Sequence, residues 1–212
     1  MKIRSQYILY FIIMFALVLV LGAVALYQNE SIWTQTQGLY NHPYTVSRTL
    51  GAIRADILSM SRALRDMAIT DSLTFRQELT HEIERSDDEV MEALDVLYDR
   101  YLGPKSDVDD LHESFVSWRA LRKDITNQIE AGENAAAIAA TTPSGVAGAK
   151  VDELLGLVDR IQYFATNKAE EFITKAQRNS EYLRKALVIT VIGAIALLAL
   201  IVYMLIKNTL VP

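Results

Sequence analysis

Cysteine is absent from the 212 residues, and histidine, tryptophan and proline are scarce at three, two and four copies. Without cysteine there is no disulfide framework, no thiolate nucleophile and no Cys-ligated zinc or iron–sulfur centre. Charge is missing from two runs of 21 residues each, Tyr7 to Tyr27 and Ala186 to Ile206, and all 26 acidic residues lie between them. That central stretch sets 18 basic residues against the 26 acids, a net of −8, while Lys2, Arg4 and Lys207 leave the tails positive. An acidic centre argues against nucleic-acid binding, because phosphate contact needs a basic face.

A hydrocarbon core of ~30 Å takes roughly 20 apolar residues at ~1.5 Å of helical rise. Both uncharged runs meet that length, so two membrane spans are expected. Lys2 and Arg4 precede the first and Gln28, Asn29 and Glu30 follow it. The positive-inside rule then places residues 1–6 in the cytoplasm, 28–185 outside and 207–212 inside again. Arg184 and Lys185 oppose this, but a translocated stretch so long is not governed by the charge rule. Tyr7, Tyr10, Tyr27 and Tyr203 suit interfacial anchors. Ala23-Val24-Ala25 matches a leader-cleavage site, yet the apolar run is longer than the usual ~7–15 residues of a leader, which favours a retained span.

From Val46 the apolar positions Leu50, Ile53, Ile57, Met60, Leu64 and Met67 follow at alternating spacings of four and three, an unbroken helical seam. A second row is Leu79, Ile83, Ser86, Val90, Ala93, Leu97 and Tyr101. A third is Val108, Leu111, Phe115, Trp118, Leu121, Ile125 and Ile129. A fourth runs from Val151 through Leu155, Val158, Gln162, Ala165, Ala169, Phe172, Ala176 and Asn179 to Leu183. Period-two alternation is lacking over any useful length, so no sheet is expected. Thr70-Asp71-Ser72, Gly103-Pro104 and the stretch Thr141 to Gly148 supply the breaks. Pro43 should kink the first helix or mark an N-terminal turn.

The outer helices, Gln28 to Thr70 and Ser144 to Lys185, would be about 63–65 Å long, and the inner pair, Leu73 to Tyr101 and Asp107 to Ala131, about 38–44 Å. The expectation is an all-α, membrane-anchored, up-down-up-down four-helix bundle with two transmembrane helices, at 7–27 and 186–206. Helices one and four would continue the spans. A ligand that favoured one packing of that pair could shift a span by an ångström or two, which makes a receptor. An anchored scaffold needs the same bundle and no ligand, and architecture alone divides these readings evenly.

Leu39-Tyr40-Asn41-His42-Pro43-Tyr44-Thr45-Val46-Ser47, then Ile53-Arg54-Ala55-Asp56-Ile57, Met60, Arg62 and Arg65-Asp66, resemble the first helix of the four-helix-bundle sensor domains of bacterial methyl-accepting chemotaxis proteins and related membrane sensors. Asn167-Lys168-Ala169-Glu170-Glu171-Phe172 resembles the matching part of their fourth helix. The resemblance implies a homodimer in a bacterial inner membrane, with its sensor in the periplasm. It also implies signalling to a cytoplasmic kinase assembly through a HAMP linker, which Leu210-Val211-Pro212 would open, and through an output domain beyond it. The same input domain occurs on histidine kinases and diguanylate cyclases, and these residues do not separate the three.

Relatives of this kind bind small ligands between the first helix and the fourth helix of the dimer partner. Arg54 and Arg65 are eleven residues apart, about 20° around a helix, and share a face. A guanidinium fork takes a carboxylate at two points. Arg54, Arg62 and Arg65 with Tyr163 are therefore the candidate ligand-binding residues, for a small molecule that carries a carboxylate. Solvated arginines paired with nearby acids are the plainer reading. His42 with Tyr40 and Pro43 reads as a kink and packing element, Gln162 and Asn179 as polar positions that fix register, and Asp87-Asp88-Glu89 as a solvated acidic face.

Catalysis finds no support. His81-Glu82-Ile83-Glu84-Arg85 carries arginine where a zinc-protease helix needs its second histidine, and His42 and His112 lack ligand spacing. Pro143 to Lys150 lacks the phosphate-loop spacing, and there is no nucleophile elbow. Neither a cofactor nor a metal is called for.

Overall fold

A computed structural model describes the backbone of residues 3–210. Lys2, Val211 and Pro212 lie outside the described residues, as do the side chains of Arg4, Tyr7, Tyr10, Tyr27, Gln28, Asn29 and Glu30; the anchors, flanking charges and linker opening expected there are not among the residues described. The elements are α1 (Ile3–Leu39), a π-helical turn (Tyr40–Tyr44), α2 (Thr45–Ile69), α3 (Leu73–Arg100), α4 (Lys105–Glu130), α5 (Asn134–Thr141) and α6 (Val146–Leu210). Among the described residues there is no strand. The chain forms two compact units, one of residues 39–170 and one of residues 1–38 with 171–212.

The unit of residues 39–170 is a bundle built on the seams. Val46, Leu50, Ile53, Ile57, Met60, Leu64 and Met67 of α2 are all buried. Pairs across the bundle fix the relative direction of its helices. Ser59 of α2 donates to Glu82 of α3 at 2.5 Å, whereas His42, before α2, meets the Arg100 carbonyl that closes α3. Tyr98 donates to Asp109 at 2.7 Å near the α3–α4 turn, and Ser114 of α4 donates to Glu153 of α6 at 2.8 Å. Arg160, further along α6, reaches back to Asp107 and Asp110. Successive long helices are thus antiparallel, as the short connections require. One core cluster joins α2, α3, α4 and α6 around Phe115 and Trp118, whose rings meet edge to face at 6.0 Å. A second, around Leu64, Met67, Ile125 and Ile129, is closed by Ala137 of α5.

The helix ends follow local chemistry. Thr70 turns extended after α2, and the Ser72 hydroxyl then accepts from the Phe75 N–H at 3.3 Å as the cap of α3. α4 ends in a Schellman motif: Gly132 lies at φ +81, its N–H bonds the Ile129 carbonyl, and the Glu133 N–H bonds the Gln128 carbonyl. Gly145 sits where an added Cβ would come within 2.2 Å of the Ala139 carbonyl oxygen, so only glycine allows the chain to pass that close between α5 and α6.

Three expectations change. The helix assigned to Gln28–Thr70 is interrupted, because Pro43 lacks the N–H that the helix ladder needs and the backbone absorbs this as the π-helical turn at Tyr40–Tyr44. The third connection is shorter than expected, since the alanine-rich segment Asn134–Thr141 forms α5 and packs on α2 and α4. Three of the rows shift by one residue at places: Arg122 is buried rather than Leu121, Leu94 rather than Ala93, and Leu154 and Ile161 rather than Leu155 and Gln162.

In the other unit, α1 and the later part of α6 are helical. Among the described residues one helical stretch is long and apolar enough to cross a membrane by length and composition, and it lies in the α6 region. The corresponding apolar stretch described in α1, Phe11–Ala23, is shorter than a span. Their side chains include many exposed apolar groups, among them Phe11, Phe15, Val18 and Leu19 on α1 and Ile189, Ile192, Ile195 and Leu200 on α6.

Candidate functional site

The three candidate arginines of α2 take up different positions. Arg54 donates through Nη2 to the Asp159 carboxylate of α6, a pair with side chains 38% and 66% exposed. At that exposure the pair contributes little to stability, and another carboxylate can compete for the guanidinium. Tyr163, one turn along α6 from Asp159, is 72% exposed. Arg65 donates through Nη2 to the Thr141 carbonyl at 2.9 Å and so anchors the end of α5. Arg62 is exposed on α2. The structure brings Arg54 and Tyr163 to one α2–α6 face through Asp159; Arg65 stands about 16 Å further along α2, at ~1.5 Å per residue, with its fork partly engaged. On the Arg54 side the same face is tied by Gln162, whose Nε2 donates to Ser47 Oγ at 2.9 Å and to Thr166 Oγ1 at 3.2 Å.

The cluster at His42 is a packing element. Pro43 is buried, Tyr40 stacks on Tyr44 with centroids 5.4 Å apart, and His42 Nδ1 lies 3.1 Å from the Arg100 carbonyl. Tyr101, next to it, packs edge to face on Phe164 at 5.2 Å and donates to Asp107 at 2.7 Å; burial, with that bond second, pushes its phenol well above the usual range.

Sequence reasoning missed a polar group in the core. Arg122 of α4 has a side chain only 5% exposed, and Asp87 of α3 one 14% exposed. The Asp87 carboxylate accepts from Arg122 Nη2 and from Arg119 Nε and Nη2. Arg122 Nη1 lies 2.9 Å from Met60 Sδ of α2, and its guanidinium is 4.5 Å from the Trp118 ring centre and 5.5 Å from that of Phe115. Burial lowers the Arg122 pKa, against the support of its Asp87 partner. Asp87 is therefore no part of a solvated acidic face. The signal was in the rhythm: Val108, Leu111, Phe115, Trp118, Arg122, Ile125 and Ile129 keep spacings of three and four in strict alternation, whereas Leu121 breaks it.

A helical bundle that carries guanidinium groups on its faces is suited to binding and mechanical coupling. This is the class of helical sensor modules. The description "four helix bundle sensory module for signal transduction" matches residues 1–180, and the chain belongs to that family. No curated protein matches the chain, and neither does any solved structure.

Proposed function

We propose that the chain is the input part of a transmembrane sensory receptor, a two-span protein of the bacterial inner membrane whose bundle lies in the periplasm. Residues 7–27 and 186–206 are its spans. The output is a cytoplasmic signalling kinase assembly of the chemotaxis type, reached through a HAMP-like linker. The observation that carries this reading is the sensory-module family together with α6, which is helical from Val146 to Leu210 and so includes both core residues such as Val158 and the apolar run after Lys185.

The ligand is a small molecule that carries a carboxylate and binds at the face shared with a second copy, where Arg54 and Tyr163 form one carboxylate position and Arg62 and Arg65, about 12–16 Å further along α2, a second. α2 supports that placement. Its exposed residues Arg48, Gly51, Ala55, Leu58 and Arg62 repeat at spacings of three and four, a second seam pointing away from the core. Nothing lies within 4 Å of a Cβ added at Gly51, so a partner helix has room to approach. The carboxylate displaces Asp159 from Arg54 and changes how α2 packs on α6, and α6 carries the change toward its apolar end.

The test is thermal unfolding of the full chain in nanodiscs against acetate, succinate, benzoate and longer organic acids. A binder at about 100 times its Kd adds roughly 2.7 kcal/mol and raises the midpoint. Arg54→Ala should abolish that rise for a carboxylate that displaces Asp159, and Arg62→Ala with Arg65→Ala for one held at the second position. A silent panel would favour an anchored scaffold, and an unchanged affinity would remove these arginines from the site.

A further inference from the structure

The groove between α3 and α4 has an opening of about 540 Å³ and lies on different helices from the α2–α6 face. That is within the roughly 300–1,000 Å³ of small-molecule sites. Among the groups that line it, Arg119, Arg122 and Lys123 balance Glu84, Asp87 and Asp88 charge for charge. The inner wall is built: Arg122 is 95% buried, fixed between Asp87 and the aromatic core, and its Nε has no hydrogen-bond partner. Arg119 is 44% exposed and meets Asp87 side-on through Nε and Nη2. A guanidinium has a second, end-on fork formed by Nη1 and the remaining Nη2 hydrogen, which can take another carboxylate at two points.

We propose that this groove is a second ligand site, for a compact zwitterion whose carboxylate takes the end-on fork of Arg119 and the Lys123 ammonium, and whose own ammonium faces Glu84 and Asp88. A simple anion meets those two acids at like charge, and a simple cation meets Arg119 and Lys123; a molecule with both charges satisfies each end. The site also has a mechanical consequence. The carboxylate draws on Arg119, Arg119 and Arg122 share the Asp87 carboxylate, and Arg122 touches Met60, so occupancy bears on the packing of α2 against α4. This inference stands apart from the α2–α6 carboxylate site and uses none of its residues.

The experiment is calorimetric titration of the full chain in nanodiscs with glycine, β-alanine and γ-aminobutyrate up to 10 mM (~10 mM covers the weak end of small-ligand affinity), with acetate and methylammonium as single-charge controls. At least one zwitterion should bind saturably, at least about tenfold more tightly than either control, and Arg119→Gln should weaken it by about tenfold or more. The exposed pair Glu84→Gln and Asp88→Asn, made together, should remove the preference over acetate and covers the case in which Arg119→Gln unfolds. Arg62→Ala should leave zwitterion binding unchanged. The proposal is overturned if no zwitterion binds, if acetate binds equally well in a chain carrying Arg54→Ala and Arg62→Ala, or if binding survives Arg119→Gln and is lost in Arg62→Ala. The last result would place the ligand on the α2–α6 face and leave the receptor reading intact.

Discussion

Arg122 of α4 reaches Asp87 of α3 from a position 5% exposed, with the Trp118 ring 4.5 Å beneath its guanidinium. A buried cation of this kind is held in place by its partner carboxylate more than it stabilises the fold, because desolvation offsets most of the Coulombic gain. Its removal and the removal of its partner should therefore differ.

Asp87→Ala leaves Arg122 buried without a carboxylate and should cost about 3 kcal/mol. Arg122→Met fills similar space, leaves Asp87 with Arg119 and should change stability by about 1 kcal/mol or less. Urea unfolding of the full chain followed by circular dichroism measures both. Equal losses would mean that the pair acts as an ordinary surface bridge.

This pair also marks the limit of what the sequence made legible. The seam from Val46 to Met67 is buried at every position, because an α2 packed on three neighbours needs a continuous apolar stripe. The turns at Thr70 and Gly103 are equally plain, since capping and chain reversal are local chemistry. Arg122 is hidden in the sequence because a charged residue in the register of an apolar row has an apolar neighbour, Leu121, beside it. The π-helical turn at Pro43 was legible only as a disturbance, since the way the backbone absorbs a missing N–H depends on its neighbours. On the ligand face, the common side of Arg54 and Arg65 was legible from helical geometry; their partners Asp159 and Thr141 come from distant segments and were not.

Asp56 provides a pH test. Burial, with Glu89 second, raises its pKa above 3.8. A carboxyl raised on folding opposes the native state at neutral pH, and the penalty fades as pH falls through the raised value toward 3.8. Asp56→Asn should raise the melting midpoint by about 1–3 °C at pH 7. The gain should vanish below that window; a gain that persists at pH 3 would contradict the assignment.

Glu153 has the opposite sign. The Lys150 ammonium and the Ser114 hydroxyl hold its carboxyl below the usual range, so its contribution is present above the ordinary glutamate pKa near 4.5 and is lost as pH falls through the lowered value. Glu153→Gln should lower the midpoint by about 1–2 °C at pH 7 and by nothing at the acid end of the titration.

Arg65 should act locally. Arg65→Ala frees the Thr141 carbonyl and removes the tie between α2 and the end of α5. Amide exchange across Asn134–Thr141 should speed up about five- to tenfold, with a global loss of about 1 kcal/mol or less. A collapse of protection throughout the bundle would instead make α5 part of the main cooperative unit.

Gly51 separates the protomer from the dimer. Space around it is open within the chain, so Gly51→Leu should leave the fold intact and gain about 0.5–1 kcal/mol of helix propensity. The same side chain blocks close approach of a second α2. Sedimentation in detergent should show the wild-type chain as a dimer and the variant shifted at least about tenfold toward monomer, or about 1.4 kcal/mol. An unshifted dimer would move the interface to another face.

The most direct test of the receptor account is the sidedness of the membrane. The sequence has no cysteine, so Ser117→Cys on the exposed side of α4 and Lys207→Cys beyond the apolar run of α6 give single reporters. In intact bacterial cells whose outer membrane is made permeable, an impermeant maleimide should label position 117 at once and position 207 only after the inner membrane is opened. Labelling of position 207 from outside, or protection of position 117 until lysis, would contradict it.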